Sequence, residues 1–160
     1  MSVNPLWHRY VFASIVKHLR AAMSAGSIEL AIDFLDERTN AWKDATSKAE
    51  ATIMGPFTRE QSKGLYRVRA TVFMVLTSDR SVDAGVHIDN EGVISEALDQ
   101  CIVVKDYGTT GLVDIGVITP NVDAPGDEVG PDRERPKQTD DQIFTTFQVR
   151  YYGLFSDPGE

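Results

Sequence analysis

The chain has 160 residues, 42% of them hydrophobic, and a formal net charge of −8. That length fits one domain able to bury ~68–70% of its unfolded surface, so neither a disulfide nor a metal is needed for folding. Acids outnumber bases 24 to 16, which argues against tight capture of a nucleic acid backbone by clustered Lys and Arg.

No apolar run approaches the roughly 18 residues that a membrane span requires. The segment Met1–Pro5 lacks a charged region followed by an apolar core, so no signal peptide is expected. Asn4 and Pro5 mark a helix start, as a cap and a first helical residue. Trp7, Val11, Ile15 and Leu19 recur every fourth residue, which predicts a helix over Pro5–Ala25, about 31 Å long, with Gly26 closing it. Ile28, Leu30, Ile32 and Phe34 alternate with more polar residues and predict a strand. A polar stretch anchored by Trp42 follows. A second strand is expected over Ala49–Ile53, ended by Gly55-Pro56, with a charged loop at Phe57–Gly64.

Leu65–Thr77 carries the strongest strand pattern. Tyr66, Val68, Ala70, Val72, Met74 and Leu76 form its apolar face, and Arg67, Arg69 and Thr71 open the other. Ser78–Gly85 reads as a link, Gly92–Gln100 as a short helix, Ile102–Lys105 and Leu112–Ile118 as strands. Pro120–Asp141 holds four of the seven prolines and reads as a Pro-rich acidic loop. Ile143–Phe155 is an aromatic strand with Phe147, Val149 and Tyr151 on one face and Phe144, Arg150 and Tyr152 on the other. The expected fold is one α+β domain over 1–160: a mostly antiparallel sheet packed against the long N-terminal helix and one short helix.

Residues that carry chemistry are scattered. Cys101 sits in the apolar run Cys101–Val104 and is expected to be a buried, inert thiol. His8 and His18 are ten residues apart, which is not the pairing of a helical metal site. His87, Asp89 and Glu91 lack a defined ligand spacing and read as turn-forming polar residues. Gly108–Gly111 lacks the Lys-Ser/Thr ending of a phosphate loop, and no Ser stands in a Gly-x-Ser-x-Gly setting. No catalytic, metal or cofactor site is expected. The candidate residues are contacts between chains. Arg67 and Arg69 share a strand face with Thr71 and are expected to pair either with acids such as Glu29 or Asp33 of a neighbouring copy or with partners in their own sheet. Phe147, Tyr151 and Tyr152 lie on the closing strand, and Asp127 and Glu128 in the acidic loop.

The opening helix Pro5–Ala25, the strand Leu65–Val72 and the ending Phe147–Gly153 together resemble the tail terminator, or tail completion, proteins of long-tailed bacteriophages. The resemblance implies an α+β subunit of a ring, typically a hexamer, that caps the tail tube and joins it to the head connector. It implies a virion neck protein assembled in the host cytoplasm, with DNA passing through the lumen and without sequence-specific nucleic acid binding, membrane contact or catalysis. The acidic loop has no counterpart in that family's common core. The alternative reading is a monomeric module that binds a peptide or protein at a sheet edge.

Overall fold

The computed structural model describes residues 5–35, 38–106, 113–120, 132–133, 136–139 and 141–156. The element order is α1 (Pro5–Ala25), β1 (Glu29–Ile32), a 3-10 turn (Asp33–Leu35), α2 (Asn40–Asp44), β2 (Ser47–Ser62) and β3 (Leu65–Asp79). There follow α3 (Ala84–Leu98), β4 (Ile102–Asp106), β5 (Val113–Pro120), β6 (Asp132–Arg133), β7 (Lys137–Gln138) and β8 (Gln142–Ser156). The strands order as β1-β2-β3-β8-β5-β4, with β6 and β7 also paired to β8. The class is α+β as expected, but the sheet is mixed and strongly curled rather than simply antiparallel. Its parallel pair is β1 with β2. The 3-10 turn and α2 form the crossover that lets two successive strands run the same way.

The α1 stripe Trp7, Val11, Ile15, Leu19 and Met23 is buried. Trp7 meets the rings of Tyr66 at 5.5 Å and Phe155 at 5.7 Å, both edge-on. Such pairs add to the area they bury because a positive ring edge meets a negative ring face. The helix spans Pro5–Ala25 as the sequence suggested, but its left-handed closing residue falls one position later. Ser27, not Gly26, takes the left-handed position (φ 56). The Ile28 amide reaches back to the Met23 carbonyl at 2.9 Å, and both side chains are buried beside the turn.

β3 and β8 form the spine, paired from Leu65↔Ser156 to Asp79↔Gln142. Their buried residues alternate as the sequence predicted, bringing Ala70 beside Tyr151, Val72 beside Val149 and Met74 beside Phe147. Both long helices lie on this inner face. Trp7 of α1 touches Tyr66 and Phe155, while His87 of α3 bonds Ser78 and Thr145.

Four sequence expectations are corrected. β2 does not stop at Gly55-Pro56. It passes through a bulge between Met54 and Phe57 and continues to Ser62, so the expected charged loop is strand and hairpin. Proline is tolerated there because β1 covers only Lys48–Ala51, leaving the outer edge of β2 without a ladder to break among the described residues. α3 starts at Ala84, capped by Asp83, whose carboxylate accepts from the Gly85 amide at 2.8 Å. Cys101 is exposed, because Ile102 and Val104 take the inward positions of β4. Within the expected loop 120–141, β6 and β7 pair with β8; residues 121–131 lie outside the described part.

Candidate functional site

The side of β2, β3 and β8 opposite the helices carries a distinct chemistry. Register places Phe57, Arg69 and Tyr152 in one cross-strand row and Arg59, Arg67 and Leu154 in the next. Arg150 pairs with Thr71 beside them. These rows hold Arg59, Arg67, Arg69 and Arg150, four of the chain's 16 basic residues, and no acid. A chain of net charge −8 thus concentrates positive charge on half of one sheet face.

The arginines are held against rings. The Arg69 guanidinium lies 5.4 Å from the Phe57 ring centre, and that of Arg67 lies 5.8 Å from the Tyr152 ring centre. Each stacking is worth about 0.5–1 kcal/mol at an exposed site and fixes the direction in which the cation points. Phe57, Thr58, Arg59, Arg67, Arg69 and Tyr152 line a shallow groove of about 310 Å³. Apolar surface borders it: Phe57 is 52% exposed and Leu154 54%. Cations, rings and exposed aliphatics on a rigid sheet suit recognition of an acidic surface that also carries apolar groups.

The expected contact residues divide. Arg67, Arg69 and Tyr152 meet in this groove. Phe147 and Tyr151 do not belong to the surface; they are 2% and 0% exposed and pack inside the core. The Tyr151 hydroxyl donates to the Leu98 carbonyl at 2.9 Å, tying β8 to the end of α3. Burial, then the nearby Asp99 and Cys101, push that hydroxyl well above the usual tyrosine range. Glu29 is exposed at the β1 edge, and Asp33 pairs with Arg38 at 2.8 Å. Glu29 pairs with Lys48, which lies opposite Thr77, eight residues along β3 from Arg69, so this acid sits roughly 26 Å along the strands from Arg69 of the same chain. Asp127 and Glu128 lie outside the described residues. Phe57 and Arg59 were hidden by the expectation of a loop; period-2 alternation carried past the proline is the signal that finds them.

A second cluster is internal. Ser78, His87, Glu91 and Thr145 are each 3% exposed or less. The Thr145 hydroxyl donates to Glu91 Oε2 at 2.6 Å. Its oxygen therefore accepts from His87 Nε2–H at 2.9 Å, which leaves His87 Nδ1 to accept from the Ser78 hydroxyl at 2.8 Å. Desolvation lowers the His87 pKa, partly countered by Glu91, which agrees with this neutral tautomer. Arg133 of β6 reaches Glu91 Oε1 at 3.5 Å from the rim. Hydroxyl, imidazole and carboxylate are sealed among helix and strands and satisfy one another, so the cluster fastens α3 to β3 and β8. Among the described residues no group of three His, Cys, Asp or Glu is arranged to hold a metal, and no helix is long and apolar enough to cross a membrane.

No family model and no curated protein matches the chain. One solved structure, which carries no descriptive name, is similar with a TM-score of 0.62 and 10% sequence identity, covering 94% of this chain and 96% of that chain. At that identity the likeness is one of fold.

Proposed function

We propose that the chain is a structural subunit that assembles into a hexameric ring at the head–tail junction of a long-tailed bacteriophage. In this reading it is a tail terminator or neck protein that caps the tail tube and meets the head connector, with DNA passing through the lumen. The observation that carries the reading is the arginine- and aromatic-lined face of β2, β3 and β8, which no described element covers, while the buried Ser78–His87–Glu91–Thr145 cluster is satisfied internally. A rigid face with stacked cations serves contact between chains better than turnover of a substrate. The order of elements behind the sequence resemblance supports the same reading.

A second reading has its own support. From Thr52 to Ser62 the outer edge of β2 has no strand beside it among the described residues, and such an edge can take up an extended peptide. Mass photometry with negative-stain imaging of the purified chain separates the two. Closed hollow rings are expected. A monomer that stays monomeric at high concentration, alone and with tail-tube and connector proteins, would overturn the ring reading in favour of the edge-binding one.

A further inference from the structure

Resting on the ring reading, we infer that the arginine face of one copy docks on the outer face of helix α3 of a second copy, in a head-to-tail contact. The two surfaces match in charge. α3 exposes Asp89 and Glu96, is flanked by Asp83 and Asp99, and has no Lys or Arg anywhere between Arg80 and Lys105. The sheet face presents Arg59, Arg67, Arg69 and Arg150 with no acid in their cross-strand rows among the described residues, and Glu60 beside Arg59 and Arg67 at the rim. They also match in apolar content. Ile88 is 62% exposed on α3, beside Val86 at 43%, and Phe57, Met54 and Leu154 are exposed on the sheet.

The helix is shaped for close approach. Ile88, Asp89, Gly92 and Glu96 fall on one exposed stripe at helical spacing. A Cβ at Gly92 would meet nothing within 4 Å among the described residues, so no described neighbour explains a glycine in the middle of this helix. The stripe borders a groove of about 440 Å³ between α1 and α3, floored by Ala22, Ala25 and Val93 with Glu96 at its side. That groove offers an apolar floor and an acid to an incoming arginine and ring.

Direction follows from the layers. α3 packs on the inner side of the sheet, so its exposed stripe points away from the arginine face. Two complementary patches on opposite sides of a subunit make a heterologous contact, which leaves no patch unused only when the chain of copies closes on itself.

Charge exchange tests it. One variant carries Arg59→Glu and Arg69→Glu, the other Asp89→Lys and Glu96→Lys; all four positions are exposed. Each variant, with wild-type circular dichroism and melting, is expected to lose at least ten-fold in assembly affinity by mass photometry. An equimolar mixture of the two is expected to recover rings, because every interface again pairs opposite charges. Should a charge-reversed pair fail to fold, Arg59→Gln with Arg69→Gln and Asp89→Asn with Glu96→Gln give the same single-variant losses. If the wild type forms rings and the variants form them equally well, this interface is wrong while the ring reading stands. If the wild type never assembles, the ring reading itself fails. A mixture that stays apart, or a wild-type arginine face that instead binds an acidic peptide or duplex DNA, would rule out a second copy as the occupant.

Discussion

The Thr145 hydroxyl of β8 donates to Glu91 Oε2 of α3 at 2.6 Å, although 54 residues separate them in the chain. The Thr145 hydroxyl oxygen in turn accepts the Nε2–H of His87 at 2.9 Å. Thr145 is therefore the hinge of the buried network. Thr145→Val keeps the shape but strands a carboxylate oxygen and an imidazole N–H away from water. Unfolding in urea should show a loss of about 2–3 kcal/mol. Its neighbour supplies the control. Thr146 Oγ is enclosed without a hydrogen bond, so Thr146→Val should change stability by less than about 0.5 kcal/mol, or raise it slightly. Equal losses for the two variants would contradict the network.

Acid should act on the same network through His87. Burial holds its folded pKa below the ordinary value, which is roughly 6.5 in an unfolded chain. The unfolded state therefore takes up the proton first. Stability contributed by neutral His87 is complete above pH ~6.5 and is lost as pH falls from there through the folded value. The slope is at most about 1.4 kcal/mol per pH unit for one proton. Protonation would also place an N–H where Nδ1 now accepts from Ser78, leaving that hydroxyl to turn away. Denaturant titrations at a series of pH values between 5 and 7 should show wild type weakening on the acid side and His87→Gln, less stable throughout, showing a flatter profile. Parallel profiles would mean that His87 does not carry the dependence.

The parts of the fold legible in the sequence are those where apolar residues follow the geometric period. Trp7 to Met23 at four-residue steps gave α1, and Tyr66 to Leu76 at two-residue steps gave β3, with Arg67 and Arg69 placed on the outer face by parity alone. The first half of α3 follows its period equally well, since His87, Asn90, Glu91, Ile94, Ala97 and Leu98 form one buried stripe. Its first three members are polar, so a hydrophobicity pattern cannot see it until Ile94. Burial there is made tolerable by hydrogen bonds to Ser78 and Thr145, which come from strands and are invisible locally. β2 was cut short for a different reason. Gly55-Pro56 carries a strong local stop signal, overridden by pairing with β3 on one side and an open edge on the other. The arginine groove was half legible in consequence: Arg67, Arg69 and Tyr152 were found, Phe57 and Arg59 were not.

Ser27 offers a test of backbone strain. Its φ of 56 puts a side chain in the left-handed region at the end of α1. The turn is otherwise complete, with the Ser27 amide on the Ser24 carbonyl and the Ile28 amide on the Met23 carbonyl. Ser27→Gly removes the clash of Cβ with the backbone and keeps both bonds. Part of the gain is lost to the freer unfolded chain, leaving a net rise of about 0.5–1 kcal/mol. Calorimetry should record a higher melting temperature. A lower one would mean that the Ser27 side chain supplies more than the conformation costs.

Gly92 of α3 and Gly26, which stands against Val93 of α3, should respond to alanine with opposite sign. Alanine favours a helix interior over glycine by about 0.8–1.0 kcal/mol. At Gly92 a Cβ enters open space, so Gly92→Ala should raise the stability of the isolated subunit by about that amount. At Gly26 the same atom would stand 2.9 Å from Val93 Cγ1, where Val93 must shift within the α1–α3 contact, and Gly26→Ala should lower stability by about 1 kcal/mol or more. Measured by urea unfolding at concentrations where only monomer is present, the pair separates helix propensity from packing. The Gly92 variant carries a further consequence. A methyl on the exposed stripe of α3 would hold a docked sheet face away, so the variant that strengthens the single chain should weaken assembly. Stability and ring formation rising together would show that nothing approaches this helix closely.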